Sequence, residues 1–257
     1  MEIKQGIRRN FARRVATYDR YACAQRLMAQ GLLALVGPVV SQARSILEIG
    51  CGTGQFTQLL RRLNAAASLV ALDLDEVLVA AARRRVGNGC RTHWLVADGE
   101  AWVLGPFDLI IGNATFQWLT RPGEALANYF ESLNPGGLVA FSTLGPETFR
   151  ELASSLAQAG GATIPAQNFL AREDWSRLLE QAGFQEIRVV RETVTATFES
   201  VGHFLKALQA TGATNPRPRA FSPRVLKAMA AAYQQNFGLN GGGIPATYEL
   251  IWAAARK

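Results

Sequence analysis

Ser45-Ile46-Leu47-Glu48-Ile49-Gly50-Cys51-Gly52-Thr53-Gly54-Gln55 is the stretch whose reading decides the fold. Ser45 to Ile49 has the apolar, β-branched character of a buried strand, and alternate glycines at 50, 52 and 54 follow it directly. A helix then runs from about Gln55 to Leu63. Glycines between a strand and a helix let the backbone turn sharply and approach a ligand, and the first turn of the helix adds amide donors. Downstream, the same alternation recurs: strand Leu69 to Leu72 ending on Asp73, helix Glu76 to Arg85, strand His93 to Val96 ending at Asp98, and strand Phe107 to Ile111. A helix from Glu124 to Leu133 stops at Asn134-Pro135-Gly136-Gly137, before the strand Leu138 to Ser142. Near-continuous apolar strands alternating with helices predict an α/β fold, a doubly wound, mostly parallel sheet covered on both faces.

The last third changes character. Ala171 to Ala182 reads as a helix with a Gly183 stop, and Glu186 to Phe198 is a long strand rich in Val, Thr and Ile. Helices at about Val201 to Ala210 and Pro223 to Asn236 precede a final strand, Ala246 to Ala254, which brings the sheet to seven strands. The segment Thr211 to Phe221, with Asn215, Pro216 and Pro218, is the clearest loop. One domain is expected over 1–257: a helical arm or lid at 1–40, a cofactor-binding half at 41–142, and substrate-side helices with the last strands at 143–257.

In open parallel sheets ligands bind at the carboxyl ends of the strands, and four consecutive strands here end in Gly50, Asp73, Asp98 and Asn113. Asp73, followed by Leu74, stands where a carboxylate accepts hydrogen bonds from a ribose diol. Asp98, followed by Gly99, stands where one takes the amino group of an adenine ring. Asn113 can face the ligand through its backbone or its amide. Each acid alone reads more readily as a loop cap, and only together and in this order do they point to a ligand; Asp75 reads as the cap of the following helix. A dinucleotide site is the alternative, but Gln55, Phe56 and Thr57 follow Gly54, so the Gly-x-Gly-x-x-Gly pattern is absent.

Composition bounds the rest. With 257 residues and 49% apolar content the chain can bury one sizeable core. No apolar run approaches the roughly 20 residues that span a bilayer, so no membrane association is expected and the protein reads as cytoplasmic. Cys23, Cys51 and Cys90 are too scattered for a disulfide framework, and no Cys/His cluster offers a metal site. His93 and His203 read as ordinary structural residues. The net charge of +7 is uneven: residues 1–30 carry +5, residues 187–257 carry +6, and the middle carries −4. Basic ends suggest an acidic partner or simply solvated helices.

Residues 45–142, with Glu48 two places before the first glycine, resemble the class I S-adenosylmethionine-dependent methyltransferases, which have a Rossmann-like sheet. The flanks look like the malonyl-[acyl-carrier protein] O-methyltransferase family of biotin synthesis. Three features carry this resemblance: Ile7, Phe11, Tyr18-Asp19 and Gln25 in the arm; Phe141-Ser142-Thr143-Leu144-Gly145-Pro146-Glu147-Thr148-Phe149 with Glu151-Leu152; and Leu205-Lys206, Leu208, Thr211-Gly212-Ala213 and Asn215, with Thr247-Tyr248-Glu249. The resemblance implies S-adenosyl-L-methionine as methyl donor, with S-adenosylhomocysteine as product and no metal. Glu48, Gly50, Cys51, Gly52, Gly54, Asp73, Leu74, Asp98, Gly99 and Asn113 would bind it. The acceptor would be the free carboxylate of a malonyl thioester on acidic acyl-carrier protein or on coenzyme A. Tyr18 would position it, Gln117 and Trp118 would wall the pocket, and one of Arg13, Arg14, Arg172 or Lys206 would clamp the carboxylate. Other readings are a different carboxylate methyltransferase, an RNA methyltransferase suggested by the pI of 9.8, or a non-catalytic cofactor-binding protein. Against nucleic acid, Asn113-Ala114-Thr115-Phe116 is not the Asn-Pro-Pro-aromatic loop of base-amino methylation.

Overall fold

The computed structural model describes residues 15–87, 91–101, 105–161, 163–211 and 222–257, together with Lys4, Gly6 and Gly89. The chain divides into two compact units, one of Cys23–Thr143, Ala171–Arg191 and Ile251–Lys257, the other of Met1–Ala22, Leu144–Leu170 and Glu192–Leu250. In chain order the elements are α1 (Val15–Tyr21), α2 (Cys23–Gln42), β1 (Ser45–Ile49), α3 (Gln55–Leu63), β2 (Ser68–Asp73), α4 (Glu76–Val86), β3 (Thr92–Val96) and β4 (Phe107–Asn113). There follow α5 (Pro122–Glu131), β5 (Leu133–Leu144), α6 (Arg150–Gln158), α7 (Arg172–Gln181), β6 (Gln185–Phe198), α8 (Val201–Ala210), α9 (Pro223–Phe237) and β7 (Ile244–Arg256).

The seven strands lie in the order β3-β2-β1-β4-β5-β7-β6. β1 pairs in parallel with β2 on one side and β4 on the other, Ile46 standing beside both Leu69 and Leu109. β3 and β5 extend the parallel set outward. β7 runs against β5, since the Lys257 amide donates to Gly137 at 2.9 Å and Gly145 donates to Glu249 at 2.9 Å. Strand order reverses between β1 and β4, and a crevice opens at such a switch point. Ile46, Leu47, Leu69, Leu109, Ile110, Ile111, Val139 and Phe141 are all buried, which explains why these strands are apolar at successive positions and do not alternate.

Within the first unit, α2 buries Met28, Leu32, Val36 and Val40 at four-residue spacing, the stripe of a core helix. By length and composition alone α2 is also long and apolar enough to cross a membrane, although Gln25, Arg26 and Gln30 in its first turns keep it from being a continuous apolar run. In the second unit Phe149, Leu152, Leu156, Phe204, Met229 and Tyr233 form a separate buried cluster, and α1 packs on α8.

Two local expectations are corrected. Asn134-Pro135-Gly136-Gly137 does not end before β5 but lies inside it, as an irregularity between the Phe107–Leu133 and Leu109–Leu138 pairs. Gly136 finds its acceptor on Lys257, so the turn-forming residues make a bulge whose backbone is still paired. The region after β5, for which no helix is expected, contains α6. Its N-cap is Phe149 in a left-handed conformation (φ 60°) without a side-chain cap; Thr148 and Glu151 have the spacing of a capping box, but both side chains bond β7, at Glu249 and Thr247. Asp75 does cap α4, accepting from the Val77 amide at 2.8 Å.

The charge argument also changes. Glu48, Asp73, Asp75, Glu100 and Glu151 are buried. Removing these five from the surface cancels the apparent acidic excess of the middle stretch.

Candidate active site

The loop after β1 is built from backbone bonds to β2. The amides of Gly50 and Cys51 both donate to the Leu72 carbonyl at 2.9 Å, and Gly54 donates to Cys51 at 2.9 Å. The glycines answer different needs. Gly54 lets α4 come close, for a Cβ there would lie 2.8 Å from the Ala82 Cα. Gly52 has φ +52° and open space where a Cβ would point, so its requirement is the left-handed turn and clearance for whatever binds. α3 begins at Gly54 with no side-chain cap, which leaves its first-turn amides directed at the same space.

Asp73 at the end of β2 is buried, with Oδ2 accepting the Gly52 amide at 2.9 Å and Oδ1 the Asp75 amide at 3.1 Å. Burial pushes its pKa up to about 6, against the lowering effect of those amides. Glu48 is 1% exposed, and among the described residues neither carboxylate oxygen has a hydrogen-bond partner. Burial raises its pKa to about 8. The nearby Thr57 hydroxyl lowers it somewhat without forming a bond of good geometry, and the charge of Asp73 raises it further. A buried carboxylate with two unsatisfied oxygens is costly unless a cation or donor completes it. The methionine end of S-adenosylmethionine carries such groups, so these residues fit that cofactor.

Asp98 follows β3, with Oδ1 accepting the Glu100 amide at 3.1 Å. Gly99 packs tightly, since a Cβ would meet Ile49 Cγ2 at 2.8 Å, and its carbonyl accepts the Tyr129 hydroxyl at 2.9 Å. At the end of β4, Asn113 Nδ2 donates to the Gln25 carbonyl at 3.1 Å and Oδ1 accepts from Ser142 at 2.7 Å. Both halves of its amide are thus engaged within the protein, and the side chain ties β4 to α2 and β5. Gln117 Nε2 donates to Ala114 at 2.8 Å and Oε1 accepts from Thr143 at 3.3 Å. Trp118 is half-buried on the same short 3-10 turn, which Phe116 anchors by stacking on Phe141 at 4.0 Å.

All the expected cofactor residues, with Gln117, Trp118 and Arg172, belong to the first unit. Arg172 opens α7 and pairs with exposed Glu173 at 3.2 Å. Tyr18 on α1 and Lys206 on α8 belong to the second unit, on two helices that pack together. Arg13 and Arg14 lie outside the described residues. Among the described residues no group of three or more His, Cys, Asp or Glu side chains could hold a metal. Thr57, Ser142 and Glu100 were missed. The spacing Asp98-Gly99-Glu100 was the available signal for Glu100, a second acid immediately beyond a strand end.

Residues 18–189 match the methyltransferase domain family. The chain is 34% identical to the malonyl-[acyl-carrier protein] O-methyltransferase of Brevibacillus brevis, over 98% of this chain and 96% of that protein. It is 38% identical to the protein of that name from Anoxybacillus flavithermus, over 97% and 96%. Among solved structures, an N-methyltransferase from Bradyrhizobium japonicum, in complex with S-adenosylhomocysteine, aligns with a TM-score of 0.55 at 18% identity, covering 98% of each chain. That likeness shows the fold. Taken with the geometry around Glu48 and Asp73, the full-length likeness places this chain in the malonyl-[acyl-carrier protein] O-methyltransferase family of S-adenosylmethionine-dependent enzymes.

Proposed function

We propose that the protein transfers a methyl group from S-adenosylmethionine to the free carboxylate of a malonyl group held as a thioester on acyl-carrier protein. The methyl ester so formed would start pimeloyl and biotin synthesis in the cytoplasm. The observation that carries this reading is the likeness to relatives of that name over 96% or more of their length, flanks included. Esterification hides a charge that chain-elongating enzymes would reject.

When bound, the cofactor supplies an electrophilic methyl on a sulfonium. The chain's own residues hold and orient. Glu48 and the Gly50–Gly54 loop, including Cys51, would take the methionine end, Asp73 and Leu74 the ribose, Asp98 and Gly99 the adenine. With the Asn113 amide engaged elsewhere, its backbone is what could face the cofactor. The acceptor carboxylate is ionised at neutral pH, so no side chain has to remove a proton. Rate enhancement then comes from proximity, alignment and exclusion of water. A single cation with a neutral donor suits the acceptor, since strong ground-state stabilisation of its charge would blunt attack. Tyr18 is the proposed donor, and Arg13, Arg14, Arg172 and Lys206 are the candidate cations. Gln117 and Trp118 would line the transfer pocket, and residues 1–40 would act as arm or lid within one catalytic domain. Acidic acyl-carrier protein would be steered by the basic chain ends.

Comparing acyl groups tests this. Malonyl thioesters should be methylated, and acetyl thioesters, which lack the carboxylate, should be inert. Equal turnover of both would overturn the reading.

A further inference from the structure

Glu100 is a buried carboxylate, 3% exposed, and both its oxygens are used by one segment. Oε1 accepts the amides of Thr120 and of Arg121, the latter at 3.0 Å, and Oε2 accepts the Thr120 hydroxyl at 2.8 Å. That segment is the start of α5, whose N-cap, Arg121, contributes no side-chain cap of its own. Glu100 therefore holds the two residues that lead into α5, from 20 or more residues upstream, and so fixes where that helix starts. From the helix side the connection is returned twice, by Asn128 Nδ2 donating to the Glu100 carbonyl at 3.1 Å and by the Tyr129 hydroxyl donating to Gly99. On the other flank, the Glu100 amide donates to Asp98 Oδ1.

We infer that Glu100 is a positioning residue for adenine recognition: by fastening the Asp98-Gly99-Glu100 turn to α5, it fixes the direction in which the Asp98 carboxylate meets the base. A recognition side chain on a loop is accurate only when a supporting shell holds it, and misplacement by an ångström removes most of its value. Here the support comes from an element that is distant in sequence. The Thr120 and Arg121 donors on Glu100 and the bonds back from Asn128 and Tyr129 leave the turn little freedom to swing. This rests on the assignment of Asp98 to the adenine amino group.

The test measures binding of S-adenosylhomocysteine and of S-inosylhomocysteine, in which a 6-oxo group replaces the amino group, by calorimetry on the folded protein. The wild type should prefer the adenosyl compound, because the Asp98 carboxylate accepts from an amino group and repels a carbonyl. Glu100→Ala should weaken S-adenosylhomocysteine about tenfold and bring the two affinities together. Glu100→Gln should stay within about threefold of wild type, since its amide oxygen keeps both backbone donors and its nitrogen can donate to the Thr120 hydroxyl. Asp98→Asn should also lose the preference. A lost preference in Asp98→Asn with an intact one in Glu100→Ala overturns the positioning role alone. An intact preference in Asp98→Asn overturns the adenine assignment beneath it. Equal weakening of both ligands by Glu100→Ala means a merely structural part and overturns the proposal as well. Should Glu100→Ala fail to fold, the isosteric Thr120→Val removes the hydroxyl donor to Glu100, and an unchanged preference there is the overturning result.

Discussion

Glu249 in β7 accepts the backbone amide of Glu147 at 2.8 Å, across 102 residues of sequence. The same two segments are bonded further. Thr148 Oγ1 accepts the Glu249 amide at 3.1 Å, Phe149 donates to Thr247 at 2.7 Å, and buried Glu151 accepts both the amide and the hydroxyl of Thr247. Gly145 lies so close that a Cβ would run into the Glu249 carboxyl. The Gly145-to-Phe149 and Thr247-to-Glu249 motifs, separate in sequence, form one interlocked piece of the second unit. Glu249→Ala would leave the Glu147 amide without this acceptor and should cost about 1 to 3 kcal/mol, with Glu249→Gln closer to wild type. Urea midpoints measure it, and equal midpoints for Glu249→Ala and wild type would contradict it.

Glu48, at about 8, and Asp73, at about 6, are held above ordinary carboxyl values by burial. The folded chain therefore keeps protons that the unfolded chain has released above about pH 4. Their contribution to stability is fully present below that pH and is lost as pH rises through 6 and then 8. Completing Glu48 with the cofactor's cationic end favours its ionised form, so binding should release a proton near pH 7. S-adenosylhomocysteine affinity should weaken on acidification below pH 8, by up to about tenfold per unit. Calorimetry in two buffers of different ionisation enthalpy reads the release directly. Identical heats, or a release that persists in Glu48→Gln, would count against it.

Gly52 and Gly54 should respond differently to alanine. Gly52→Ala has space and carries only the left-handed penalty, about 1 to 2 kcal/mol. Gly54→Ala adds a collision with the α4 backbone, about 2 kcal/mol more. Both should lose cofactor affinity, but Gly54→Ala should melt at the lower temperature. The reverse order would show that the α3–α4 approach is looser than described.

Charge reversal of Lys206, with Arg13 and Arg14, should raise KM for malonyl-carrier protein severalfold at low salt, and added salt should shrink the difference. Kinetics at two ionic strengths decide it. An unchanged KM would remove the basic ends from carrier recognition.

The parallel half of the fold was legible because its signals are local. β1 to β4 each end on, or within two residues of, a glycine, an acid or an amide (Gly50, Asp73, Asp98, Asn113), and the boundaries of β1, α3 and α8 lie where periodicity puts them. The bulge at Asn134–Gly137 was not legible, because what pairs those residues is Lys257, at the far end of the chain. α6 starts at a left-handed Phe149, and the Thr148 and Glu151 side chains beside it serve β7 and not the helix end. Of the proposed site residues, Asp73 and Asp98 stand out by their position beyond strand ends, whereas what Glu100 bonds lies 20 residues away and is invisible in the local sequence. A count of charge along the chain describes the basic ends but overstates the acidic middle, since Glu48 and Glu151 are buried.

The central claim is methyl transfer to a malonyl carboxylate. Purified protein with methyl-labelled S-adenosylmethionine, offered malonyl-acyl-carrier protein, malonyl-coenzyme A and RNA in parallel, tests it most directly. The account predicts label in a malonyl thioester as a base-labile methyl ester, and none in RNA. Label in RNA, or none in either malonyl thioester, would contradict it.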